Sequence, residues 1–430
     1  MNSLSHVIIS LKWRVACFLA SPATARWAAP IRTLRQIFAL NVARRPIAEA
    51  RKILVIRPDE IGDVVLATPF LRALRQFAPR ARITVVVKST CRELVELCPY
   101  IDAVHALDFT SGEGDGRRVR LYWAAWWLRW RRLPWLGFDL VLLPRRAVDW
   151  YGSEIVGHLL AGRGALVAHR DTMAKSSSNS PENASTAINF YSNVEIAHEV
   201  LHNLSFLRWC GAADSTNSCL ELWLSDADRH FASTWLGEHF GQSAGVIVVH
   251  PSGGHSMLKQ WPLKKFRALL NQLKRETRCS FLIIGGQDEG WIAREFADEV
   301  SERVTVAVGQ FTLRQLSAVI ERAELFVGGD SGPMHLAAAV GSPVIGIFGP
   351  TSEVRFRPWG PNSHVVSLRY ACSPDVLGTF EDRCQTCRFS EPRCLTELSV
   401  DPIVTQVRAL LAHEMHVVEI QRVPPRQEGR

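Results

Sequence analysis

Several polar residues stand at the ends of apolar runs, where a chain can place chemistry. From Leu325 to Thr351 the sequence reads LFVGGDSGPMHLAAAVGSPVIGIFGPT, the pattern of a buried strand, a tight turn, a short helix and a second strand. Asp330 and Ser331 fall where the first strand hands over to the helix. Ser331 has the chemistry of an N-cap, Gly332 leaves the backbone uncovered, and Pro333 suits a first helical turn. Such a helix start offers free N–H groups and the positive end of a dipole, which suits a phosphate-bearing ligand. His335 follows within the helix, as a ligand contact or as a satisfied core histidine.

Two more segments of the second half carry groups for an anion. His250-Pro251-Ser252-Gly253-Gly254 ends a strand pattern, and Lys259-Gln260-Trp261-Pro262 precedes a helix. Small residues let the backbone approach an anion and a nearby Lys supplies a point charge, although an isolated surface Lys is ordinarily just solvated. Gly285-Gly286-Gln287-Asp288-Glu289 ends another strand. An acid there accepts from ribose hydroxyls in dinucleotide folds; Glu289 is preferred over Asp288, and capping of the helix near Trp291 is its alternative role. In the first half, Arg57-Pro58-Asp59-Glu60-Ile61-Gly62-Asp63 joins a strand to a helix. Asp63 is a candidate general base or an acid that merely complements the helix dipole, and Asp59 and Glu60 share its turn.

Of ten Cys, four fall within 23 residues, as Cys372, Cys384, Cys387 and Cys394 in the spacing C-x11-C-x2-C-x6-C. The Cys384–Cys387 pair has metal-knuckle spacing, and four thiolates suit tetrahedral Zn or Fe as a structural ion.

The elements that must hold these residues repeat a strand–helix rhythm. KILVIR (Lys52–Arg57), an amphipathic helix over 61–77, ITVVV (Ile83–Val87), then Ala103–Leu107 and Asp139–Leu143 imply a parallel sheet. Residues 169–187 are Ser- and Asn-rich and read as a mobile loop, a helix over 193–210 closes the first half, and 220–224 bridges to the second. There VIVVH, FLIIG and VTVAV restart the rhythm. A chain of 430 residues suggests two domains. The organisation read from this is a basic arm over 1–50, a first domain over 51–219, a second over 220–410 with the Cys cluster at 372–394, and a tail over 411–430.

Composition is that of a globular protein, 47% hydrophobic and 21% charged. The net charge of +8 is concentrated: residues 1–52 carry nine Lys/Arg against the single acid Glu49. The apolar core Val15–Ala20 is shorter than a signal-peptide core of about 7–15 residues, so a cytoplasmic protein is expected. Arg117–Trp135 adds six Arg and five Trp without an acid, which suits an anionic membrane surface or a core helix with solvated arginines. Nothing resembling a nucleic-acid-binding motif accompanies it, and no nucleic-acid partner is expected.

The Leu325–Thr351 stretch closely resembles the signature of the family 9 glycosyltransferases, the bacterial heptosyltransferases, in Asp330-Ser331-Gly332, His335, Ala337 to Ala339, Pro343 and Phe348-Gly349-Pro350-Thr351. The resemblance covers roughly residues 51–410. It implies two Rossmann-like domains facing across a cleft, the α/β architecture called GT-B. It implies Asp63 as base, Lys259, Ser252 and Gly253 on the donor phosphates, and Asp330 and His335 on donor sugar and phosphate. The expected activity is inverting transfer of a heptose, most simply from ADP-heptose, to a lipopolysaccharide core acceptor. No cofactor is needed for that chemistry, and the protein would lie peripherally on the inner membrane. The Cys pattern resembles the iron-binding finger of the autotransporter-modifying heptosyltransferases, which makes a protein O-heptosyltransferase the alternative. A non-catalytic membrane-associated binding module is the second alternative.

Overall fold

In a computed structural model, residues 1–46 and 422–430, and internal segments of which the longest are 170–187 and 375–383, lie outside the described residues. Most of the expected arm and of the expected mobile loop fall there. The chain divides into two compact units. Each holds a six-stranded sheet in which every pairing is parallel.

In the first unit the strands are β1 (Lys52–Arg57), β2 (Arg82–Val87), β3 (Ala103–Ala106), β4 (Leu140–Leu143), β5 (Ala165–His169) and β6 (Ile188–Tyr191), ordered β3-β2-β1-β4-β5-β6. The second sheet contains β7 (Val246–His250), β8 (Ser280–Gly285), β9 (Val304–Val308), β10 (Leu325–Gly329), β11 (Val344–Phe348) and β12 (Ser363–Ser367), ordered β12-β11-β10-β7-β8-β9. Both follow the doubly wound order, whose ligands lie outside the carboxyl ends of the strands where the winding reverses. In the second sheet that reversal lies between β7 and β10. The sequence explains why these two are central: VIVVH and LFVGG are buried along their whole length, as strands covered on both faces must be. The strands β5, β6 and β12 were not foreseen.

The expected helix over 61–77 is two helices, α1 (Ile61–Leu66) and α2 (Thr68–Phe77). Pro69 is the cause: it has no N–H and crowds the carbonyl four residues back. That carbonyl, of Val65, instead accepts the Thr68 hydroxyl at 2.8 Å. The division between units falls at the same point, so that Ile61–Thr68 counts with the second unit and Pro69 onward with the first.

Helix α3 (Asp115–Arg131) carries the Arg/Trp stretch. Leu121, Ala125 and Leu128 enter the first unit's core, whereas Trp126 and Trp127 are 47% and 51% exposed. The core-helix reading holds for the aliphatic stripe, and the indoles of Trp126 and Trp127 are left on the surface. Ile47 is also buried, so the compact part of the chain begins before residue 50. At the other end a helix runs Asp401–Gln421, into the expected tail. Among the described residues no helix is long and apolar enough to cross a membrane.

Candidate active site

At the end of β7 the chain turns through Ser252 and Gly253 into the short turn Met257–Lys259. Gly253 has no alternative there: a Cβ would lie 2.6 Å from the Lys259 carbonyl carbon and 2.7 Å from the Gln260 nitrogen. Below the turn, Trp261 is 1% exposed and donates its indole N–H to the Leu398 carbonyl at 3.1 Å. With its neighbours fixed this way, Lys259 brings its ammonium 2.7 Å from the Asp330 carboxylate at the end of β10. Burial alone would raise the Asp330 carboxyl, but the Lys259 charge and His335 outweigh it and hold it well below the usual carboxylate range. An ammonium has three hydrogens; one goes to this carboxylate and a second toward the Asp330 carbonyl at 3.4 Å, which leaves one donor for another anion.

Ser331 occupies the N-cap position of helix Gly332–Ala339, yet its side chain makes no capping bond. The hydroxyl lies instead 2.9 Å from His250 Nδ1, and His250 Nε2 is 3.2 Å from Glu289. Glu289 keeps a capping bond of its own: it makes none at the N-cap of helix Gly290–Glu295, but its carboxylate accepts the Gly286 N–H at 2.7 Å, which caps the turn Gln287–Glu289 leading into that helix. Burial raises its carboxyl; His250, Ser252 and Gly286 lower it further, to about 2. Ser252 is buried and its hydroxyl also accepts the Gly254 N–H at 3.0 Å.

His335 is 4% exposed, with Nε2 3.9 Å from Asp330 and no hydrogen-bond partner for Nδ1 among the described residues. Its ring lies against Gly62, where a Cβ would meet Cδ2 at 2.6 Å, and a Cβ on Gly332 would lie 3.0 Å from the Ile61 side chain. These contacts seat α1 on helix Gly332–Ala339 and put half-buried Asp63 in the first turn of α1. The other two acids of that turn are committed elsewhere: Asp59 is buried between Arg57 and Arg145, and Glu60 pairs with Lys88.

The structure thus brings together Ser252, Gly253, Lys259, Glu289, Asp330, Ser331, Gly332 and His335 at the winding reversal of the second sheet. Sequence reasoning passed over His250, although a polar residue closing the apolar run VIVVH at a central strand's carboxyl end was a visible signal.

The four cysteines line one cavity of about 310 Å³ with Leu258, Pro350 and Tyr370. Burial and then the thiols of Cys384, Cys387 and Cys372 push the Cys394 thiol up to about 11. The donor set has the chemistry of a tetrathiolate site. Its placement is more open than such a site requires, since among the described residues no three His, Cys, Asp or Glu side chains converge as metal ligands.

Comparison with known proteins bears on all of this. A lipopolysaccharide heptosyltransferase 3 of Escherichia coli is 25% identical over 306 residues, covering 70% of this chain and 84% of that protein. The structure of E. coli ADP-heptose lps heptosyltransferase II superposes with a TM-score of 0.61 at 18% identity, over 85% of this chain and 99% of the other. The iron-containing dodecameric glycosyltransferase TibC from enterotoxigenic E. coli does so with a TM-score of 0.52 at 11% identity, over 85% and 77%. These likenesses carry the fold, that of the GT-B glycosyltransferases. The model of glycosyltransferase family 9 (heptosyltransferase) matches residues 168–382, half of the chain, and the chain belongs to that family of glycosyltransferases.

Proposed function

We propose that this glycosyltransferase moves a heptose from ADP-heptose to a lipopolysaccharide core acceptor with inversion at the anomeric carbon. The observation that carries the reading is the convergence, at one winding reversal, of an ammonium, an uncapped helix start and a buried carboxylate. Lys259 and the N–H groups opening helix Gly332–Ala339 receive the diphosphate. Glu289 accepts from the ribose hydroxyls. Asp63 removes the proton of the acceptor hydroxyl, whose oxygen bonds to the anomeric carbon as the bond to the β-phosphate oxygen breaks. The charge left on the diphosphate is met by Lys259 and the helix dipole, so no cofactor is required for the transfer. Among the alternatives for the Cys cluster, a structural Zn or Fe fits the donor set, and the transfer does not pass through it.

The names of the relatives support heptose and lipopolysaccharide, and the site supports a nucleoside diphosphate. A cytoplasmic protein resting on the inner membrane follows from such an acceptor and from the basic N-terminal residues. The cysteine cavity favours a second reading, transfer to a protein hydroxyl. The test is to delete the gene, determine lipopolysaccharide core mass by mass spectrometry, and assay purified protein with ADP-heptose. A core lighter by one heptose supports the proposal; an unchanged core with a lost protein glycan supports the second reading.

A further inference from the structure

His250 has no part in the mechanism above, yet it joins Glu289 to Ser331, the N-cap residue of the helix that receives the diphosphate. It is 2% exposed at the last position of β7, with Glu289 at one ring nitrogen and Ser331 at the other. An ionised carboxylate only accepts hydrogen bonds, and Glu289 is held ionised by its neighbours. Nε2 is therefore the nitrogen that carries the proton and donates. Nδ1 is left facing the Ser331 hydroxyl and draws it away from the N-cap role that Ser ordinarily plays. Pro333 offers no N–H and the Met334 N–H goes to the Ser331 carbonyl at 3.2 Å, so the Gly332 N–H opens the helix without a side-chain cap.

We infer that His250 is a positioning residue of the donor subsite, fixing Glu289 for the ribose hydroxyls and Ser331, with the helix start behind it, for the diphosphate of a nucleoside diphosphate. This rests on the donor reading above. The ring is planar and bonded at both nitrogens, so neither partner can turn without disturbing the other.

The experiment measures ADP and adenosine affinities by calorimetry on the full chain. His250→Gln sets an amide nitrogen near Nε2, keeping Glu289 and giving up Ser331; His250→Asn does the reverse. His250→Gln is expected to lose about tenfold in ADP affinity with adenosine unchanged. His250→Asn is expected to lose equally for both, because the ribose contact is common to them. Ser331→Ala should reproduce the Gln variant, and the double change should be no weaker than either alone. In ¹⁵N spectra of the wild type, the His250 Nε2–H should be protected and Nδ1 should shift in Ser331→Ala, a readout that needs no folded His250 variant. Equal ADP and adenosine losses in both variants, additive losses in the double change, or a proton on Nδ1 alone would overturn the inference. A wild-type chain that binds no nucleoside diphosphate would overturn the donor reading itself, a different result from wild-type binding with unaltered variants.

Discussion

The Lys259 ammonium and the Asp330 carboxylate lie 2.7 Å apart, one on the turn that follows β7 and the other just past the end of β10, the two strands flanking the winding reversal of the second sheet. Each holds the other ready, and neither can be removed without consequence for its partner.

Lys259→Ala is expected to weaken ADP binding by about 10- to 150-fold, the worth of a charge-assisted hydrogen bond of about 1.5–3 kcal/mol. It should also move the acid limb of the stability curve. With Lys259 present the folded Asp330 carboxyl lies below its unfolded value, so its contribution is complete above the unfolded pKa and lost as pH falls through the folded one. Without Lys259 the carboxyl is held less far below its unfolded value, so the variant is less stable at neutral pH and loses less stability on acidification. Denaturant midpoints at several pH values check this, and coincident curves for the two proteins would refute it.

The acids of the first turn should separate by phenotype. Asp63→Asn is expected to keep ADP affinity and lower turnover by about 10²–10⁴. Asp59→Asn leaves the buried Arg57 charge with less compensation, and a destabilisation of about 3–5 kcal/mol is expected. Normal turnover in Asp63→Asn, with turnover lost in Glu60→Gln, would move the base to Glu60.

His198 gives a pH test outside the donor site. It stacks on Trp359 at 4.3 Å, with Nε2 2.9 Å from the Arg357 carbonyl, and burial pushes it down to about 3. The fold avoids its charged form, so its contribution is complete above about 6.5 and lost as pH falls from there toward 3. At about 1.4 kcal/mol per pH unit, stability should fall by about 2 kcal/mol between pH 6.5 and 5. His198→Gln should flatten that slope in urea melts.

For the cysteine cavity the expectation is about one zinc or iron per chain in elemental analysis of protein purified without added metal, lost in Cys384→Ser. Four thiols titrating freely in a metal-free chain would withdraw the ion. Either result is independent of transferase activity.

Ile47 places the truncation point for the basic arm. Removing residues 1–46 deletes seven cations and no acid while sparing that buried side chain. Much of the binding to anionic vesicles should go, at about 1 kcal/mol per cation near the surface, with ADP affinity kept. If vesicle binding persists, Trp126→Ser/Trp127→Ser should abolish it.

The fold was legible because buried parallel strands are nearly continuous apolar runs, and each site segment begins where such a run ends. Lys259, Asp330 and Gly332 could be found that way. Partnership could not. Ser331 has the right chemistry for a cap, and only the approach of His250, 81 residues earlier, decides that its hydroxyl is spent elsewhere. The helix over 61–77 misled for a local reason: amphipathic periodicity continues across Pro69, whereas backbone hydrogen bonding does not. The strands INFY and SHVVS are too short and mixed to stand out from loops.

Gly62 against His335 has a consequence for engineering. A chimera joined at the midpoint of the sequence, near residue 219, would give α1 a foreign helix to sit on, and only a partner with matching bulk at positions 61, 62, 332 and 335 would accept it. The halves of this chain are consecutive in sequence but not interchangeable parts, and a workable exchange of donor specificity must carry residues 61–68 along with the second half.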